Sequence, residues 1–301
     1  MKAVRIHLHG GPHVLSIDEM DQPELKKGDI KIKVKAAALN HLDIFVREGI
    51  PGISLPLVMG SDAAGEIVEC ANDVTAFSPG DHIVIMPFNI NTDDPLFKEN
   101  KENLSRNYQI RGEHCDGVQA EYVVVSQDFV MKKAECINWQ EAAAFPLVAL
   151  TAYHMLVTKV ALKAGQWILI HGASSGVGSA AIQIAKTLGA NVIASTSSPE
   201  KVDLAQKLGA DHVINYKEVS TGKTARDVSD GGVDVVFEHT GEQTWKESLR
   251  ALRIGGKIVT CGATSGYNIQ LDLRALFSKQ QQFIGSTMGT RSDMLAVNKL
   301  V

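Results

Sequence analysis

After Gly165 the chain repeats one pattern six times, and that repetition restricts the fold more than any other feature. Apolar, strand-like runs start near Trp167, Val192, Val213, Val233, Lys257 and Phe283, with amphipathic stretches between most of them. In the first of these stretches Val177, Ala181, Ile184, Ala185 and Leu188 fall on one helical face. The next opens on Ser198-Pro199, a residue suited to cap a helix followed by proline at the first helical position. Strands alternating with crossover helices make a parallel, doubly wound α/β sheet, the architecture that binds dinucleotides.

The texture before residue 130 is different. Ile30-Lys31-Ile32-Lys33-Val34 alternates with period two and sets its lysines on a wet face. Pro56, Gly60, Gly65, Pro79, Gly80 and Pro87 punctuate further short strands such as 65–68 and 82–86. This reads as an irregular β barrel. Two domains are therefore expected, 1–125 and 126–301. The second includes a linking helix over 139–160 that Pro146 interrupts. The polar run 89–107 reads as a surface loop.

Composition excludes several other classes. With 301 residues, 45% of them hydrophobic and 21% charged, the chain has enough apolar material to fold without staples. Thirty basic against 34 acidic side chains give a net charge of -4, which argues against a nucleic-acid surface. No apolar run approaches the ~18–20 residues that span a bilayer, and Met1–Ile6 lacks a signal segment. Cys70, Cys115, Cys136 and Cys261 are scattered, with no C-x-x-C pair, so a reducing, cytoplasmic setting is expected.

The run from Trp167 to Gly178 passes from a buried strand through small residues into a helix. A pyrophosphate cradle requires this, because helix N–H groups must meet the anion unobstructed. Of the G-x-G-x-x-G pattern only Gly178 is met; Ala173 and Ser175 stand at the other two positions. Ser174, Ser175, Gly176, Val177 and Gly178 are the expected phosphate contacts. At the end of the second strand, 194–198 carries no carboxylate to accept ribose hydroxyls. Ser197 and Lys201, with Tyr216 after the third strand, suit a 2′-phosphate instead, so the expected cofactor is NADPH.

Several segments together give the chain a family resemblance. They are Leu39-Asn40-His41-Leu42-Asp43, Gly60-Ser61-Asp62-Ala63-Ala64-Gly65, Ser78–Val84, Gly112-Glu113-His114, Ala142–Pro146 and the phosphate loop. The chain resembles the medium-chain dehydrogenase/reductase superfamily, which pairs an N-terminal GroES-like barrel with a Rossmann domain. Within it the chain is most similar to NADPH-dependent quinone oxidoreductases and their alcohol dehydrogenase-like relatives. The resemblance implies that Thr151, His239, Gly262, Ala263, Thr264, Ser286, Thr287 and Met288 border the cofactor. It also implies that Asn40 faces substrate, with turn formation as the structural alternative. Asp43 orients its neighbours or caps a helix, and Tyr153 is a donor or a core aromatic. Relatives dimerise through the sheet edge near the sixth strand, so a homodimer or homotetramer is expected, with 283–286 as the contact.

The departures from the family bear on chemistry. Zinc-containing members carry a cysteine where this chain has Asn40 and a histidine where it has Ser61. Their structural zinc loop, C-x2-C-x2-C-x7-C, falls on Asn91, Asp94, Phe97 and Ser105. No thiolate remains, so no metal is expected at either site. Without a Lewis acid, hydride addition to an activated C=C bond or quinone is the less demanding reaction, since a few hydrogen-bond donors can carry the resulting anion. The expected function is reduction of a small conjugated carbonyl compound: a quinone, enone or enoyl thioester. Zinc-type alcohol dehydrogenation is one alternative. Family members also continue past the sixth strand into a segment that returns to the barrel, and this chain stops at Val301 within a helix. A missing return segment is therefore expected, with an NADPH-binding protein impaired in catalysis as the second alternative.

Overall fold

The computed structural model describes residues 1–301, which fall into two compact units: Met1–Leu147 with Thr290–Val301, and Val148–Gly289.

The first unit is built from short strands: β1 (Lys2–Ile6), β2 (Leu15–Glu19), β3 (Asp29–Ala38), β4 (Leu57–Val58), β5 (Asp62–Cys70), β6 (His82–Ile85), β7 (Phe88–Asn89), β8 (Gln109–Ile110), β9 (Tyr122–Ser126) and β10 (Val130–Lys132). They form sheets ordered β2-β1-β4, β10-β6-β5-β3-β9 and β7-β8. The lysine alternation in β3 behaves as expected. Ile30 and Ile32 are fully buried, while Lys31 and Lys35 pair with Glu69 and Glu66 across the sheet. Helix α1 (His41–Glu48) follows β3 directly, and α2 (Pro95–Lys98) and α3 (Trp139–Ala144) complete this part of the chain. Because α3 packs on β3 and β5, the unit extends to Leu147 rather than to the 125/126 boundary that texture suggests. The polar run 89–107 is also more than a surface loop. It carries α2 and places Glu102 fully inside, where it accepts the Arg291 backbone N–H.

The second unit holds α4 (Pro146–Tyr153) from Val148 onward, then β11 (Trp167–Ile170), α5 (Gly176–Thr187), β12 (Asn191–Thr196), α6 (Pro199–Lys207), β13 (His212–Asn215), α7 (Thr221–Val228), β14 (Val233–Glu238), α8 (Glu242–Ala251), β15 (Leu252–Thr260), α9 (Leu273–Ser278) and β16 (Gln282–Gly285). The six strands run parallel in the order β13-β12-β11-β14-β15-β16. Alternate residues feed two cores, as strands buried on both faces require. Ile168 and Ile170 join Ala181, Ala185 and Phe237 on one face, and Leu169 joins Ile193, Val236 and Trp245 on the other. Pro199 starts α6 as expected, but Ser198 does not cap it through its side chain; that hydroxyl bonds Glu200.

From Thr290 the chain is back in the first unit. Helix α10 (Arg291–Asn298) is fixed there by Arg291 Nε to the Asp128 carbonyl (2.7 Å) and Asn298 Nδ2 to the Lys132 carbonyl (3.2 Å). The return to the first unit thus consists of one helix, and no strand follows β16. No helix is long and apolar enough to cross a membrane.

Candidate functional site

The turn after β11 is shaped by contacts that exclude side chains. Gly172 has a positive φ of 58°, and a Cβ on it would lie 2.9 Å from the His239 ring. A Cβ on Gly178 would collide with the Gly172 carbonyl. Ser175, at a position where the dinucleotide pattern has glycine, instead caps α5 by accepting the Gly178 N–H at 3.0 Å. The N–H groups of the first turn of α5 therefore sit over a side-chain-free floor, the arrangement that holds a pyrophosphate. Beside it lies a cavity of about 500 Å³, bordered by Gly172, Ser195, Tyr216, Thr240 and Thr244 among others. His239 donates from Nε2 to the His171 carbonyl at 2.8 Å and so braces the turn. Gly262 stands against the His239 carbonyl, and the buried Ser286 hydroxyl, after β16, has no hydrogen-bond partner. A phosphate-sized floor, a cavity and an orphaned hydroxyl at the carboxyl ends of the strands all fit a dinucleotide.

The first unit holds a buried polar cluster of its own. Asn40 precedes α1, and its backbone N–H donates to Asp43 Oδ2 at 2.7 Å. Its side-chain Nδ2 donates to Asp62 Oδ2 at 2.9 Å, and Leu147 N–H donates to Asp62 Oδ1 at 3.0 Å. Asp62 is fully buried. Burial pushes its carboxyl up to about 7, against these two hydrogen bonds and helped by the nearby Asp43 charge. Burial also raises Asp43, opposed by the Asn40 N–H. Ser61, equally buried, donates its hydroxyl to the Arg111 carbonyl at 2.7 Å.

Known proteins share both units. A family model described as alcohol dehydrogenase GroES-like domain matches residues 26–135, and one described as zinc-binding dehydrogenase matches 176–301. A crotonyl-CoA carboxylase/reductase from Cereibacter sphaeroides is 32% identical over 333 residues, covering 99% of this chain and 77% of that protein. The chain belongs to the medium-chain dehydrogenase/reductase superfamily. A quinone oxidoreductase from Pseudomonas aeruginosa is 29% identical over 295 residues, covering 97% and 83%. Among solved structures, an NAD-dependent alcohol dehydrogenase superposes with a TM-score of 0.96 at 39% identity, covering 100% and 88%. Membership makes this chain an oxidoreductase.

The side chains at the zinc positions of this medium-chain dehydrogenase/reductase do not fit zinc. An amide and a hydroxyl occupy the places of thiolate and imidazole, and both are engaged with protein partners. The structural-zinc loop is held differently. Asp94 Oδ2 accepts Ser105 Oγ at 2.8 Å and Asn107 Nδ2 at 3.1 Å, its Oδ1 accepts Leu96 N–H at 2.9 Å, and Phe97 packs edge-on against Phe129. Asp94 and Ser105, two of the four positions onto which the resemblance puts the zinc loop, are thus joined directly by a hydrogen bond. Replacing Asp94 with alanine should speed amide exchange at Leu96 and across 91–107 while leaving β11 to β16 unchanged. Equal exchange in the variant would contradict this role.

The structure gathers some expected site residues and disperses others. Ser174, Ser175, Gly176, Val177, Gly178, His239 and Gly262 meet at the cradle, and Ala263 and Thr264 follow on an exposed turn. Thr151 is buried in α4, Met288 is buried with a positive φ of 48°, and Thr287 is exposed. Tyr216 borders the cavity, whereas Ser197 and Lys201 do not. Tyr153 packs its ring against the hydrophobic core of the second unit, which favours the core-aromatic reading over the donor reading. Sequence reasoning missed Asp62 as the anchor of Asn40. It also missed a buried polar chain through Glu238, Ser248, His171 and Ser195. An acidic residue closing the apolar strand Val233–Glu238 was the available signal for the second.

Proposed function

We propose that this chain is a zinc-independent, NADPH-dependent reductase of a small conjugated carbonyl compound: an enoyl thioester, quinone or enone. The observation that carries the reading is the Asn40–Asp62 pair. Asp62 accepts one hydrogen of the Asn40 amide and so fixes the plane of that amide. The second hydrogen then serves as an oriented donor for a carbonyl oxygen that gains charge during reduction. Asp43, by accepting the Asn40 backbone N–H, holds the residue at the start of α1. When bound, the reduced nicotinamide supplies the hydride. Ser175 and the first turn of α5 hold its pyrophosphate, and Ser197 and Lys201, which lie beyond the residues bordering the cavity, receive the adenosine 2′-phosphate together with Tyr216, which borders it. Similarity to a crotonyl-CoA carboxylase/reductase and a quinone oxidoreductase supports conjugated substrates. The four free thiols support a cytoplasmic setting, and β16, at the open edge of its sheet, supports assembly into a homodimer or homotetramer.

The test is NADPH oxidation with crotonyl-CoA, quinones and simple enones, set against NADP reduction by alcohols, before and after chelator treatment. Chelator-resistant turnover of a conjugated acceptor supports the proposal. Turnover of alcohols alone, lost with chelator, refutes it. Asn40→Ala should lower kcat on a conjugated acceptor by about 10²-fold with NADPH affinity unchanged, the usual cost of losing one oriented donor. Undiminished kcat would remove Asn40 from the mechanism. Similarity to an NAD-dependent alcohol dehydrogenase favours the second reading, alcohol oxidation, which the alcohol arm of the same assay measures.

A further inference from the structure

The carboxyl ends of three neighbouring strands are linked by buried side chains that the proposed chemistry does not use. Glu238, at the end of β14, is fully buried. Its Oε1 accepts the backbone N–H groups of His239 (3.0 Å), Thr240 (2.7 Å) and Gly241 (3.1 Å), and Thr244 Oγ1 lies 2.9 Å from both carboxylate oxygens. Ser248 Oγ, on α8, donates to Glu238 Oε2 at 2.7 Å. His171, after β11, places Nε2 at 2.9 Å from Ser248 Oγ and Nδ1 at 3.0 Å from Ser195 Oγ, near the end of β12. His171, Ser195 and Ser248 are each at most 2% exposed.

The proton positions along this chain follow from one fixed point. Glu238 is surrounded by donors, so it is the ionised acceptor and takes the only proton of Ser248. The Ser248 oxygen then accepts His171 Nε2–H. Burial favours the neutral ring despite the opposing pull of Glu238, and a neutral ring that donates from Nε2 carries its lone pair on Nδ1. The one donor within reach of Nδ1 is the Ser195 hydroxyl. Ser195 therefore points its proton inward, so only the lone pairs of its hydroxyl remain for a group in the cavity that the residue borders.

We propose that the Glu238–Ser248–His171 relay sets Ser195 as a fixed hydrogen-bond acceptor that selects a donor group on the adenosine half of the dinucleotide. The recognised chemistry is a hydroxyl of the ribose or the exocyclic amine of the purine. The 2′-phosphate, which can only accept, is left to other residues. Ser195 is the specificity residue, and Glu238, Ser248 and His171 are positioning residues. This rests on the proposed reading of the cavity as a dinucleotide site.

Two measurements test it. The first needs no ligand: nitrogen chemical shifts of His171 in histidine-labelled protein should show the neutral Nε2–H tautomer from pH 6 to 8. Glu238, His239 and Glu247 are the titratable groups whose charges act on the ring. A protonated Nδ1 in that range overturns the relay even if NADPH binds. The second is direct titration with NADPH, NADH and the deamino (hypoxanthine) analogue of NADPH. Ser195→Ala should weaken NADPH roughly fivefold, the usual worth of one neutral hydrogen bond. If the amine is the donor, the deamino analogue binds the wild-type chain about fivefold more weakly than NADPH and is indifferent to the substitution. If a ribose hydroxyl is the donor, the analogue loses affinity alongside NADPH. Unchanged affinity of S195A for all three ligands overturns the selection. No binding of any dinucleotide to the wild-type chain refutes the proposed function, while the tautomer result stands on its own.

Discussion

Replacing Gly178 with valine will cost the chain its dinucleotide affinity, with Kd for NADPH rising on the order of 10²-fold. Even the first carbon of a side chain there runs into the Gly172 carbonyl and comes within 3.0 Å of Ser175 Oγ. Neither neighbour is the free end of a flexible side chain, so the turn itself must move. Overpacking of this kind costs roughly 1–3 kcal/mol. Here the displaced atoms are the ones that shape the anion floor, so the loss reaches binding as well as stability. Gly285→Ala is the matched control, because a Cβ at that position meets nothing within 4 Å and its φ is not positive. Calorimetric titration of both variants checks the expectation. Equal affinity of G178V and wild type would mean that the pyrophosphate sits elsewhere.

The second large effect concerns Asp62 and pH. Its folded value of about 7 lies above the ordinary aspartate value of 3.8. Well below pH 3.8 the carboxyl is protonated in both folded and unfolded chains and costs nothing. As pH rises toward 7 the unfolded chain releases a proton that the folded chain retains. Stability therefore falls through that window, by up to about 4 kcal/mol in total at the usual 1.36 kcal/mol per unit. Asp62→Asn keeps an oxygen for the Leu147 N–H and removes the ionisation. Urea unfolding should find the variant gaining on the wild type as pH rises from about 3 to 8, with the difference between them smallest at the acid end. Parallel pH profiles of the two proteins would show that Asp62 does not titrate in this range.

Both effects arise from residues whose importance the sequence exposes unequally. Gly178 lies in a recognisable strand–turn–helix setting, where hydrophobic period and small residues coincide locally. The six-strand alternation, the β3 face pattern and the break at Pro146 are legible for the same reason, since each is written within a few consecutive residues. Asp62 is different. Its partners are 22 and 85 residues away in sequence, and the fold alone brings them together. The relay is harder still to read, with separations of 10, 77 and 24 residues between hydroxyl, imidazole and carboxylate groups that look unremarkable one at a time. The run 89–107 reads as a loop because polarity is a statement about composition. Glu102 turns inward to meet a backbone N–H from the far end of the chain, which no local pattern encodes.

The Asp94 loop changes what the protein is sensitive to. Four thiolates around an ion can be oxidised, and the ion can be withdrawn. A carboxylate, a hydroxyl and an amide offer nothing to peroxide and nothing to a competing ligand. Hydrogen bonds from Ser105, Asn107 and Leu96 hold the Asp94 carboxyl below the usual aspartate range. The ionised carboxylate is what accepts those donors, so acid, and not an oxidant, is what loosens this loop.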